Sequence, residues 1–131
     1  MKIPDEEINL KYLEERNFDK YLSCLNKKLK RKKIVIYGAG AMLQAIFKHY
    51  ELNLNILAIS DLRYTENSTE YFSGYKTCAP DEIRKINPDY VLVATKKYLP
   101  VALKIKVNKQ TKIKPLINKT IKEIWKEISE N

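Results

Sequence analysis

The apolar runs of this chain predict an α/β fold, a doubly wound, mostly parallel sheet with helices on both faces, preceded by an amino-terminal helical segment. Three observations lead there. Short continuous apolar runs at 34–37, 56–59 and 90–94 read as strands buried on both faces. Stretches with helical spacing lie between and around them. The first run stops at Gly38-Ala39-Gly40, where a strand would turn tightly into a helix.

Taken in order, residues 5–30 carry apolar positions at helical spacing through Ile8, Tyr12, Leu13, Tyr21, Leu22, Leu25 and Leu29, which predicts two short helices or one broken near Asn17. This gives a helical segment over 1–31 and a sheet domain over 32–131. After the first strand, Met42, Leu43, Ala45, Ile46 and Phe47 suit one face of a helix from Ala41 to about Leu52. The second strand ends at Ser60 and Asp61, and a polar loop, with room for a helical turn, runs to Ser73-Gly74. Tyr75 to Cys78 reads as a short strand, and Pro80-Asp81-Glu82 opens a helix that closes at Asn87-Pro88. A helix over about 99–107 should follow the exit loop Thr95–Tyr98. Lys112 to Ile117 is the last strand candidate. The final helix, Thr120 to Ser129, sets Ile121, Ile124, Trp125 and Ile128 on one face, read as a packing stripe or, alternatively, a dimer contact.

Composition narrows the class. The 131 residues are enough for one core without disulfides or metals, and 44% are hydrophobic. Cys24 and Cys78 form no metal-binding pattern and read as reduced thiols of a cytoplasmic protein. No stretch reads as a signal peptide or membrane span, so no membrane insertion is expected. The formal charge is +9, with a dense cluster from Lys27 to Lys33. That cluster reads either as an anion-binding patch or as the solvated end of a helix. Lysine is scattered along the whole chain, which favours the second reading and weighs against nucleic acid as a partner.

In a doubly wound sheet, ligands bind beyond the carboxyl ends of the strands where strand order reverses, here the loops after Tyr37, Ile59 and Ala94. Gly38 permits the tight turn, Gly40 leaves room for a phosphate at the backbone, and the N–H groups opening the helix favour negative charge. Asp61 lies 21 residues beyond Gly40, at the end of the second strand, where a carboxylate can accept hydrogen bonds from ribose hydroxyls. The candidate ligand-binding residues are therefore Gly38, Ala39, Gly40, Ala41 and Met42 at the turn, Asp61, Leu62 and Arg63 after the second strand, and Thr95 and Lys96 after the third. Asp61 opposes a 2′-phosphate by like charge while Arg63 could accept one, and the balance favours NAD over NADP. Leu43 stands where the usual fingerprint has its third glycine.

The blocks Ile34-Val-Ile-Tyr-Gly38-Ala-Gly40, Ile59-Ser-Asp61, Ser73-Gly74-Tyr75, Ala79-Pro80-Asp-Glu-Ile83 and Pro88-Asp-Tyr-Val-Leu-Val-Ala94-Thr95 resemble, in order and spacing over about residues 32–117, Rossmann-like domains of bacterial polysaccharide and nucleotide-sugar enzymes. These include the amino-terminal domains of sugar acetyltransferases and of sugar dehydratases. The resemblance implies a Rossmann-like fold holding either NAD(P) or a nucleotide-sugar, in surface-polysaccharide or sugar-nucleotide metabolism.

Several chemistries lack their residues. Residues 118–131 are too few for the hexapeptide β-helix that carries acetyl transfer, and no tyrosine is followed four positions later by lysine, as in the dyad of short-chain dehydrogenases. His49, the only histidine, reads as a surface side chain, and no metal is expected. The expectation is a nucleotide-binding domain with little or no turnover alone, working with a partner domain, a partner subunit or a second copy as part of a sugar-nucleotide-modifying enzyme. The alternative is a non-catalytic interaction or regulatory module without a nucleotide ligand.

Overall fold

The structure is a computed structural model that describes residues 4–129. Helices α1 (Pro4–Glu15) and α2 (Phe18–Lys28) come first. They part at Asn17, whose φ of 52° is left-handed, a conformation that asparagine tolerates better than most residues. Then follow β1 (Lys33–Tyr37), α3 (Ala41–His49), β2 (Asn55–Ser60), β3 (Tyr71–Phe72) and β4 (Tyr75–Cys78). A 3-10 turn, Pro80–Glu82, runs into α4 (Ile83–Ile86), and β5 (Tyr90–Val93), α5 (Leu99–Ala102), β6 (Lys112–Pro115) and α6 (Ile121–Ser129) complete the described chain.

The fold is mixed α/β around a six-stranded sheet of order β3-β4-β2-β1-β5-β6. Every neighbouring pair is parallel except the β3–β4 hairpin. From β1 the chain builds outward through β2 to β4, then crosses to the other side of β1 to add β5 and β6. β1 is thus paired on both edges, Ile36 standing opposite Ile59 on one side and Leu92 on the other.

Alternation along β1 divides the interior in two, because successive strand side chains point to opposite faces. Ile34 and Ile36 join a cluster with Leu13 of α1, Phe18, Leu22 and Leu25 of α2, and Leu43 and Ile46 of α3. Val35 and Tyr37 join the other, with Ile83 of α4, Val91, and Ile105 beyond α5. Helical segments therefore cover both faces, which is why β1 is almost wholly apolar.

Four sequence expectations are corrected. The loop before Ser73-Gly74 contains a strand, β3, joined to β4 by a two-residue turn in which Ser73 and Gly74 both have positive φ, 48° and 84°. Two-residue hairpins of the I′ type require that pair of conformations. The helix expected over 99–107 is the single turn α5, because Lys104-Ile105-Lys106-Val107 alternates with a period of two and turns Ile105 inward while Lys104 and Lys106 remain exposed. α3 stops at His49, where the Tyr50 N–H bonds to the Ile46 carbonyl, rather than continuing to Leu52. The apolar stripe of α6 does not pack: Ile121 is 76% exposed, Trp125 63% and Ile128 47%.

Polar anchors hold α6 in that orientation. Thr120 and Glu123 form a capping box, the Glu123 N–H donating to Thr120 Oγ1 and the Thr120 N–H to Glu123 Oε1, both at 3.1 Å. The Arg16 guanidinium at the end of α1 donates to the Asn118 carbonyl at 2.9 Å and meets Glu123 Oε2 at 3.0 Å. Glu127, buried, accepts from the Tyr98 N–H and lies 3.9 Å from the equally buried Lys119 ammonium. With both glutamates turned onto the body, Ile121, Trp125 and Ile128 face outward and Ile124 is half-buried.

Candidate functional site

The turn after β1 is where local conformation constrains residue type most tightly. Gly38 has φ +111°, which side chains other than glycine rarely adopt, and a Cβ built on it would stand 3.1 Å from Thr95 Cγ2. Its N–H continues the ladder by donating to the Ser60 carbonyl at 2.9 Å. Gly40 differs. It caps α3 in an extended conformation, φ −120°, and an added Cβ would meet nothing within 4 Å. Gly38 is required by the fold, whereas at Gly40 the fold leaves open space above the backbone.

Asp61, at the end of β2, binds this turn directly: Ala39 N–H donates to Asp61 Oδ2 at 2.7 Å, and Oδ1 accepts from the Arg63 N–H at 3.1 Å. The Arg63 guanidinium returns to donate to the Ala39 carbonyl. Asp61 and Arg63 therefore clasp Ala39, itself fully buried, from both of its peptide groups. A carboxylate has about four lone-pair sites, so two of those on Asp61 remain for other donors.

Beside the clasp is a cavity of about 300 Å³ at the carboxyl ends of the strands, lined by Tyr37, Gly38, Asp61, Leu62, Pro80, Thr95, Val101, Lys104 and Ile105. Burial, and then the Asp61 charge, push the Tyr37 phenol upward, so its hydroxyl keeps its proton. Leu62 is 81% exposed at this cavity, an apolar side chain with most of its surface in solvent. On the same side of the sheet, burial raises the Cys78 thiol, which disfavours its thiolate.

Of the ten residues nominated from sequence, Gly38, Asp61, Leu62 and Thr95 line the cavity, and Ala39 and Arg63 belong to the clasp beside it. Gly40 is exposed at the start of α3. Met42 is buried in the first core cluster, and Ala41 faces a separate hollow with Glu6, Gln44, Ala45 and Lys48. Lys96 does not reach the cavity: its ammonium lies 5.1 Å from the centre of the Tyr12 ring on α1. Tyr37, Pro80, Val101, Lys104 and Ile105 were not anticipated. The period-two alternation over 104–107 is the signal that would have aimed Ile105 inward.

His49 lies at the end of α3, its Nε2 2.8 Å from Glu6 Oε1 on α1, in contact with Lys48's partner rather than with the cavity. Hydrogen bonds from His49 and then Lys48 hold the Glu6 carboxyl at about 2. Among the described residues, no group of three or more His, Cys, Asp or Glu side chains could hold a metal ion, and no helix is long and apolar enough to cross a membrane.

Residues 30–113 match a family described as C2185-like, N-terminal. The matched stretch runs from the basic segment before β1 to the second residue of β6, so it contains the clasp and the whole cavity lining and leaves out α1, α2 and α6. No curated protein matches the chain, and no solved structure does.

Proposed function

The chain belongs to the C2185-like N-terminal family, and from that premise we propose that it is a doubly wound, Rossmann-like domain that binds a nucleotide-type ligand, NAD(P) or a nucleotide-sugar, over the turn between Gly38 and Met42. The carrying observation is convergence: residues nominated from three separate strand ends, Gly38, Asp61 with Leu62, and Thr95, line one cavity. That cavity lies beside β1, where the sheet changes its direction of growth, the place at which doubly wound sheets bind ligands.

Size decides how much of the ligand enters. Ligand pockets run from about 300 to 1,000 Å³, so a volume of about 300 Å³ takes one ring system and not a whole dinucleotide. A base or sugar ring would lie against Leu62, Val101 and Ile105, a ribose would reach the free lone pairs of Asp61, and the phosphates would lie outside over Gly40. The open space at Gly40 and the helix start behind it fit that placement. Arg63 is already bonded to the Ala39 carbonyl, which supports NAD over NADP. The role we propose is ligand holding in bacterial surface-polysaccharide or sugar-nucleotide metabolism, with the chemistry supplied by a partner domain or subunit.

A second reading, a ligand-free interaction module, has one observation in its favour: Asp61 and Arg63 both bond the turn itself, so the clasp is complete without a ligand. Thermal shift and calorimetry against NAD(H), NADP(H), uridine and guanosine nucleotide-sugars and coenzyme A separate the two, since a ligand that binds only the folded state raises its stability. Gly40→Val is the diagnostic variant. Its backbone is extended and its surroundings are open, so folding should change by no more than about 1 kcal/mol, while phosphate approach is blocked. Nucleotide binding that is unchanged in Gly40→Val would place the ligand elsewhere, and no binding of any of these ligands would favour the second reading.

A further inference from the structure

Nine of the lysines that look scattered along the sequence are gathered at one end of the molecule. Three segments meet beyond the amino ends of β1, β5 and β6, opposite the cavity. The Lys33 N–H donates to Asp89 Oδ2 at 2.7 Å, the Asp89 N–H to the Lys33 carbonyl at 2.8 Å, and the Lys112 N–H to the Asp89 carbonyl at 3.0 Å. Asn108 Nδ2 bonds the Arg84 carbonyl at 2.7 Å, and Thr111 Oγ1 the Pro88 carbonyl at 2.6 Å. These bonds fix the α2–β1 turn, the α4–β5 turn and the approach to β6 as one rim.

The rim carries six cationic residues between Lys27 and Lys33, Arg84 and Lys85, and Lys106, Lys109 and Lys112, every one exposed. Among the described residues, its only acids are Asp89, bonded to the backbone of Lys33, and Glu51 on the neighbouring loop into β2. The balance at this one end equals the formal charge of the whole chain, +9. None of the rim cations is in an ion pair among the described residues.

We propose that this rim is a docking surface for the phosphate backbone of double-helical nucleic acid, bound without regard to sequence. The charge calls for a polyanion, and what the rim lacks selects among polyanions. Single strands are held by stacking on exposed aromatic rings, and surface-bound membrane helices insert large apolar side chains. Among the described residues, the large hydrophobic side chains most exposed, Ile8, Leu62, Tyr71, Leu103, Ile121, Trp125 and Ile128, all lie outside the three segments. A duplex backbone needs neither device, because neutralising phosphates and releasing their counterions is enough for non-specific binding.

The test is fluorescence anisotropy of the full chain with a labelled random-sequence DNA duplex and a duplex RNA of equal length, titrated across salt, with phosphatidylserine vesicles as a parallel arm. If about six of the cations contact phosphates, affinity should fall about a thousandfold between roughly 50 and 200 mM salt. Lys30→Glu, Lys32→Glu and Lys112→Glu combined should weaken binding at least about a hundredfold and flatten the salt slope by about three contacts' worth. Lys20→Glu, Lys76→Glu and Lys122→Glu combined change the net charge equally at exposed sites off the rim, and should leave affinity within about threefold. Both duplexes binding with that variant pattern supports the rim. Equal loss in the two triple variants, no duplex binding at low salt, or vesicle binding in place of duplex binding overturns it. The rim variants should keep any nucleotide-induced thermal shift, since the cavity lies at the other end of the sheet.

Discussion

α2 and α6 are both short amphipathic helices, yet the protein uses them in opposite senses. α2 buries its apolar side chains, Phe18, Leu22 and Leu25, and sends Lys27 and Lys28 into solvent. α6 buries Glu127, half-buries Glu123 and leaves Ile121, Trp125 and Ile128 exposed. Apolar spacing establishes that a helix has two faces. Which face turns inward is settled by what the rest of the fold offers, and for α6 it offers the Arg16 and Lys119 cations and the Tyr98 N–H, all donors that Glu123 and Glu127 accept from or pair with.

The comparison can be broken from the α2 side with the largest expected effect. Phe18→Ala removes a fully buried ring that packs edge-on against Tyr50 at 5.0 Å, and should cost about 3–5 kcal/mol in urea unfolding. A loss below about 1 kcal/mol would mean that α2 is not integral to the core. On the α6 side, Glu127→Ala strands the Tyr98 N–H and weakens the setting of Lys119, which keeps bonds to Tyr12 Oη and the Lys96 carbonyl. The expected loss is therefore smaller, about 2–3 kcal/mol, and finding none would show that α6 is held by something other than its acids.

Acid should act in the same direction. Hydrogen bonding to Arg16 holds the Glu123 carboxyl below its ordinary value of 4.5, with burial opposing. A lowered folded value means that the stabilisation is present above 4.5 and disappears as pH falls through the lowered value. Glu123→Gln should thus be less stable than the parent at neutral pH, and the gap should close in strong acid; a gap independent of pH would dismiss the ion pair as its source. Smallest of all is Trp125→Ser. At 63% exposure the ring contributes little to folding, so the unfolding free energy from urea titration should change by no more than about 0.5 kcal/mol, and a large loss would show that the stripe is covered after all.

What could be read from sequence follows the same division between local and tertiary causes. β1, β2 and β5 were legible because strands buried on both faces are continuous apolar runs, and the break at Asn17 because the apolar spacing falters there. The turn was legible because a φ of +111° at Gly38 demands glycine. β3 was not, since two residues carry no period and Tyr71-Phe72 becomes a strand only through its pairing with Lys76 and Tyr75. Half of the cavity escaped notice for a related reason. Val101, Lys104 and Ile105 come from a segment whose helix stops after one turn, and only the folded protein brings them opposite Leu62. The Thr120-x-x-Glu123 signature was readable in advance and fixes where α6 starts, but it says nothing about the rotation of the helix about its axis.

The central position of β1 has a consequence for how the chain comes into being. One edge of β1 is covered by β2, whose residues follow soon after in sequence, but the other waits for β5, with Ile34 pairing to Tyr90. On a ribosome, β1 therefore emerges and acquires its first partner while its second edge presents unpaired N–H and C=O groups, until the residues of β5 have been made. The Lys33–Asp89 bonds, one to the carboxylate and one between backbones, close that gap only as β5 arrives. A chain that stalls before residue 90 would display an apolar strand edge to its neighbours, so the span most exposed to misassembly during synthesis is also the one that carries the glycine turn.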